Sequence, residues 1–142
     1  MHFEYPVEGG NFSNAGVASS QFKKVLKQLN VDPQIIKRIV VALYEGEVNI
    51  VAHAFSGLIS IDLDLDKVYI RLKDEGPGIP DIQKAMQAGF STASPKVREM
   101  GFGAGMGLQN INNNADFFEI SSEVGKGTLL EITVRLNNQQ SL

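Results

Sequence analysis

The chain contains no cysteine, which excludes disulfides, thiolate metal sites and cysteine nucleophiles. It also lacks any apolar run near the roughly 20 residues that span a bilayer. Its first thirty residues do not show the basic-then-apolar order of a secretory signal. Positive charge is not in excess: 13 basic residues against 16 acidic ones leave a formal net charge of −3, which offers no general grip on a phosphate backbone. Neither nucleic acid nor a membrane is expected as a partner, and a cytoplasmic location is expected. What is present is 142 residues, 43% of them apolar, enough to close one core without a staple. A single domain over residues 1–142 is expected, with 137–142 as a frayed tail.

From His2 to Val7, Phe3, Tyr5 and Val7 alternate with polar residues before Gly9-Gly10, the pattern of a half-buried edge strand. Val17, Phe22, Val25, Leu26 and Leu29 recur at helical spacing, predicting an amphipathic helix from about Ser13 to Leu29 with Asn30 as its stop. Asp32-Pro33 caps a second, largely buried helix that runs through Ile36, Leu43 and Val51 to Ser56-Gly57. Beyond Gly57 the period changes to two, in Leu58 to Leu65 and Val68 to Leu72, as in two antiparallel strands joined by a tight turn. Pro80 to Ala88 reads as a short helix, Gly89 to Gly107 as a long loop, and Leu108 to Ala115 as a further helix. Phe117 to Ser121 and Thr128 to Leu136 alternate around Glu123 to Gly127, the signal of a closing hairpin. Strands and helices do not follow a βαβ rhythm. The fold class expected is therefore α+β, a two-layer sandwich with a mixed, mostly antiparallel sheet and helices on one face.

Three features carry chemistry. Glu45, Asn49 and His53 stand at i, i+4 and i+8 of the second helix and share one stripe; taken alone, a solvated stripe accounts for them equally well. Glu47 falls on a different face and reads as a solvated charge. Asp74-Glu75-Gly76-Pro77-Gly78-Ile79 follows a strand and precedes a helix; it is either an ordinary turn or a place where glycines let a flat ligand approach Asp74. From Gly101 to Gly107 every second residue is glycine, leading into a helical pattern; the run is either a flexible linker or a stretch whose amides cradle phosphates at the helix start. This run is neither G-x-G-x-x-G nor a Walker A sequence.

In this order and spacing the features resemble the GHKL, or Bergerat-fold, ATP-binding family. Glu45-x-x-x-Asn49 is similar to its N box, Asp74-x-Gly76-x-Gly78-Ile79 to its first glycine box, Gly103-Ala-Gly105-Met106-Gly107-Leu108 to its second, and Gly125-Lys-Gly127-Thr128 to its terminal Gly-Thr element. The resemblance spans roughly residues 30 to 136. Sensor histidine kinases of the family usually lack a carboxylate at the position of Glu45, whereas gyrase, MutL and the anti-sigma-type serine kinases carry one to activate water or a hydroxyl. The first two need a transducer domain for which 142 residues leave no room. The small serine kinases that switch partners with STAS-domain antagonists remain, and the stretches Gly101 to Leu108 and Ala115 to Thr128 are especially similar to theirs.

The resemblance implies ATP and Mg²⁺ as cofactors and a role for each residue. Asn49 would ligate the metal that bridges the phosphates. Asp74 would accept from the adenine amino group with Thr128 in support, while Gly76 and Gly78 keep the path of the base clear. Gly103, Gly105 and Gly107 would offer amides to the phosphates, and Glu45 would take the proton from a partner's serine. His53 is either beside the nucleotide or a core histidine. Between Gly89 and Gly101, Lys96 and Arg98 sit in a segment expected to act as a lid over the triphosphate. The implied partner is a STAS-domain antagonist, with a sigma factor and a second copy of the chain left open. Two rival functions also stay open: a binding module whose affinity is set by ATP, and a detached histidine-kinase ATP-binding domain, which Glu45 disfavours. Asn110, Asn112, Asn113 and Asn114 predict that the helix after the second glycine box is short.

Overall fold

Strand β1 (His2–Glu8) turns Phe3, Tyr5 and Val7 toward the interior and leaves His2, Glu4, Pro6 and Glu8 exposed, as its alternation requires. The computed structural model to which it belongs describes residues 1–87 and 107–136. The segment from Gly89 to Gly101, site residues Gly103, Gly105 and Met106, and the tail 137–142 lie outside the described residues.

Helix α1 (Val17–Gln28) starts later than its periodicity suggested, because a 3-10 turn (Phe12–Asn14) and Gly16 at φ +94° precede it. Asn30, at φ +58°, ends that helical stretch. Helix α2 (Pro33–His53) begins as expected: the Asp32 side chain accepts from the Gln34 amide at 2.8 Å, and Pro33 occupies the first turn, where no amide is needed. It stops at His53 rather than at Ser56-Gly57. Phe55 already donates its amide to Glu75 O at 2.8 Å, which draws the chain into the sheet. Strand β2 (Ser56–Leu63) therefore begins at Ser56 and forms a hairpin with β3 (Lys67–Glu75).

Helix α3 is a single turn (Ile82–Ala85) capped by Asp81, shorter than the Pro80 to Ala88 helix expected. Helix α4 covers Gly107–Asn114 of the described residues and ends at the last of its asparagines. Strands β4 (Phe117–Glu123) and β5 (Gly127–Arg135) close the chain as a hairpin, and β5 inserts beside β3. The strand order is β1-β2-β3-β5-β4, and every pairing among the described strands is antiparallel. This is the α+β sandwich expected, with its sheet antiparallel throughout the described strands.

One face of the sheet is covered. Ile59, Ile61, Val68, Ile70, Leu72, Leu130 and Ile132 are buried there with Phe22 and Leu26 of α1 and Ile39, Leu43 and Ile50 of α2. Each such side chain contributes about 1.5–3 kcal/mol by leaving water. The other face carries the cross-strand row Glu4, Ser60, Arg71, Glu131 and Glu119.

Glu47 contradicts the sequence reading. It is 2% exposed, and its carboxylate accepts from the amides of Gly16 (3.0 Å), Ala18 (3.1 Å) and Ser19 (3.1 Å) and from the Ser19 hydroxyl (2.6 Å). A helix start has amides with no intrahelical partner and a positive partial charge. No side chain of the α1 cap supplies an acceptor, so Glu47 does so from the neighbouring helix. Replacing it removes the charge and strands several buried donors. Glu47→Gln should lower unfolding free energy by about 3 kcal/mol or more, and Ser19→Ala by about 1 kcal/mol, as measured by urea denaturation.

Candidate functional site

The chain leaves β3 at Glu75 and turns through the first glycine box against the β4–β5 hairpin. Gly76 donates its amide to Lys126 O at 3.1 Å, and Gly125 returns one to Pro77 O at 2.8 Å. Gly78 has φ +79°, and a Cβ there would stand 2.5 Å from Glu123 O, so only glycine fits the turn against the hairpin. A Cβ on Gly127 would lie 2.1 Å from the Asp74 carbonyl oxygen. That close approach lets the Thr128 amide reach Asp74 Oδ1 at 3.0 Å.

Thr128 is buried, and its hydroxyl lies 3.0 Å from Ser122 Oγ. The Ser122 hydroxyl donates to Gly127 O at 3.1 Å and accepts from the Ile79 amide at 2.7 Å. Ser122 thus ties the glycine turn to the hairpin that carries Thr128. The sequence reading passed over it, although the hairpin register places Ser122 directly opposite Thr128. Burial pushes the Asp74 carboxyl above the usual carboxylate range, and the Thr128 amide opposes the shift. A carboxylate with one oxygen held by the backbone is suited to accept from an exocyclic amine through the other.

Glu45, Asn49 and His53 are all half-buried on α2, so the shared stripe is neither core nor fully solvated. At 1.5 Å per residue the stripe is about 12 Å long. Its two ends meet different parts of the chain. Next to His53, Ala54 lies against the glycine turn, its Cα 3.0 Å from where a Gly76 Cβ would be. At the other end, Glu45 Oε2 accepts from Asn110 Nδ2 at 3.1 Å, and a Cβ on Gly107 would come 3.4 Å from Glu45 Oε1. Leu108, one residue on, is buried against α2 and the core. Burial lowers the His53 imidazole below its ordinary pKa. The described part of the site therefore runs along α2 from Asp74, Gly76, Gly78, Ile79 and Thr128 at one end to Glu45 and Gly107 at the other. Among the described residues, no cluster of three or more His, Cys, Asp or Glu side chains is placed to hold a metal on its own.

The two-layer fold, with a glycine turn at one end of a polar helix face and Gly107 at the other, is that of an ATPase of the GHKL class. The chain belongs to the family described as "Histidine kinase-, DNA gyrase B-, and HSP90-like ATPase", whose pattern matches residues 33–138. It is 35% identical over 120 residues to the serine/threonine-protein kinase RsbT of Bacillus subtilis (strain 168), covering 81% of this chain and 84% of that one. It is 29% identical to the anti-sigma F factor of Geobacillus stearothermophilus across 100% of this chain and 96% of the relative. The fold is also that of the mycobacterial sensor histidine kinase MprB, with a TM-score of 0.54 at 14% identity, covering 94% of this chain and 97% of that one. Membership of an ATPase family makes ATP the nucleotide of this chain. Among the described residues, no helix is long and apolar enough to cross a membrane.

Two outcomes test Asp74 and the turn around it. Gly127→Ala should push β5 off Asp74 and weaken ATP and ADP alike by roughly tenfold, about 1.4 kcal/mol in isothermal titration. The second concerns pH. The folded Asp74 carboxyl titrates above the ordinary 3.8. Its raised pKa favours the folded state at low pH, and that advantage is lost as pH rises through the folded value. Nucleotide-free Asp74→Asn should therefore be more stable than the parent at neutral pH. It should also lack the acidic decline in ADP affinity expected of the parent above the ordinary carboxylate range; comparing the two subtracts the nucleotide's own titration.

Proposed function

We propose that this chain is an ATP-dependent serine protein kinase of a partner-switching pair, which phosphorylates a STAS-domain antagonist and holds a sigma factor as its second partner. One observation carries the reading: Glu45, a half-buried carboxylate, stands beside Gly107 at the end of the Glu45–His53 stripe remote from Asp74. With adenine at Asp74, the length of the stripe brings the terminal phosphate toward Glu45. Similarity to a serine/threonine-protein kinase and to anti-sigma F factors supports the choice of substrate and partner.

In the proposed reaction the partner's serine hydroxyl gives its proton to a Glu45 oxygen as the serine oxygen bonds to the γ-phosphorus. The bond from that phosphorus to the bridging oxygen breaks, and ADP leaves. Asn49, one helical turn from Glu45, offers a single neutral oxygen. That fits Mg²⁺, which takes most of its octahedral shell from phosphate and water and needs few protein ligands. The ion would neutralise charge on the phosphates. Asn49 orients it, Asp74 and Thr128 fix the base, and Glu45 handles the proton.

Glu45→Gln should bind ATP like the parent yet transfer phosphate about 10²- to 10⁴-fold more slowly, with the low end favoured by a loose transition state. Asn49→Ala should weaken ATP chiefly when Mg²⁺ is present. Labelled γ-phosphate transfer to STAS-domain proteins and isothermal titration measure these effects. A parent that binds ATP but transfers nothing to any such protein would instead be a binding module set by its nucleotide.

A further inference from the structure

We propose that Asn110 is a positioning residue for Glu45, turning its carboxylate so that one oxygen is held and the other is left for the proton. This rests on Glu45 acting as the base. A glutamate side chain has three rotatable bonds, whereas a general base must lie within hydrogen-bond reach of the proton it removes. Something has to limit the carboxylate. Asn110 Nδ2 donates to Glu45 Oε2 at 3.1 Å, while Oε1 faces the backbone at Gly107. Gly107 and Asn110 are three residues apart on α4 and so share a face of the helix. The residue that touches the base and the residue where the second glycine box enters α4 thus bracket the same carboxylate.

The donor is itself fixed. Asn110 O accepts from Asn114 Nδ2 at 2.8 Å, and Asn114 O accepts from Arg38 Nε at 3.1 Å. Arg38 also pairs with Asp116 at 3.3 Å. Arg38 and Glu45 are two turns apart on α2, so α4 is tied to α2 at two points, with Ile111 fully buried between them. The backbone at Asn110 is thereby held against α2, which keeps its side-chain amide within reach of Glu45. An asparagine suits the role because its amide donates without a charge and cannot compete for the serine proton.

The test uses the full chain, γ-labelled ATP and a STAS-domain protein that the parent phosphorylates. Asn110→Ala should lower kcat roughly ten- to hundredfold, leaving ATP affinity within about twofold and the KM for the STAS protein unchanged. Asn110→Asp keeps the shape, and so the fold, but sets a carboxylate against Glu45; it should lose at least as much. In the Glu45→Gln background, Asn110→Ala should cost nothing further, because residues that act as one unit are not additive. An equal loss in both backgrounds, or full kcat in Asn110→Asp, overturns the inference while the base reading stands. Parental transfer by Glu45→Gln, or no transfer by the parent, overturns the base reading and this inference with it.

Discussion

The carboxylate of Glu47, withdrawn from water in the middle of α2 and satisfied by the free amides at the start of α1, fixes how α2 is rotated about its own axis. Each residue advances an α-helix by about 100°. Glu45 and Asn49 lie two residues to either side of Glu47, so both point roughly 200° away from it and only about 40° from each other. Clamping Glu47 toward α1 therefore turns the pair toward the opposite side of the helix. The buried carboxylate and the proposed catalytic pair are two readings of one helical phase. Leu43 and Ile50, packed on the sheet, hold the remaining side.

At the other end of the site the constraint is closeness rather than rotation. The glycine turn and the β4–β5 hairpin approach so tightly that side chains at Gly78 and Gly127 would collide with backbone. Ser122 then joins the two with a single hydroxyl that both gives and receives. The result is a half-buried carboxylate, Asp74, with one oxygen held by the Thr128 amide. That arrangement works against the folded chain and in favour of its ligand, the usual direction of compromise at a functional site.

Much of this was legible in the residues. Period two and period 3.6 located all five described strands and the long helices, and the spacing of Glu45, Asn49 and His53 gave their shared face. What escaped depended on partners distant in sequence. Glu47 looked solvated beside other charges, yet it lies four residues from both Leu43 and Val51, and that apolar periodicity marked it as inward-facing. Its partners, at Gly16 to Ser19, could not be read locally. Ser122 became visible only through strand register. Asn110 was seen as a weak helix former, which it is, but its amide serves a contact with α2 that no helical propensity encodes. The end of α2 was misplaced because a strand bond at Phe55 outcompeted further helix.

The central strands β3 and β5 are neighbours in the sheet, yet between Glu75 and Gly127 the chain builds the glycine turn, α3, α4 and the outer strand β4 before it comes back to pair with β3. The entropic cost of closing such an excursion grows only with the logarithm of its length, about 0.6 kcal/mol per doubling. Residues inserted or removed there change the closure term slightly, while the β3–β5 ladder that shuts the loop stays the same. The fold thus separates a length-sensitive frame from a length-tolerant insert, and the glycine turn and Gly107 lie on the tolerant side. A ligand that bridges the frame at Asp74 and the insert at Gly107 acts as a second fastening on that loop, which couples occupancy of the site to closure of the whole sheet.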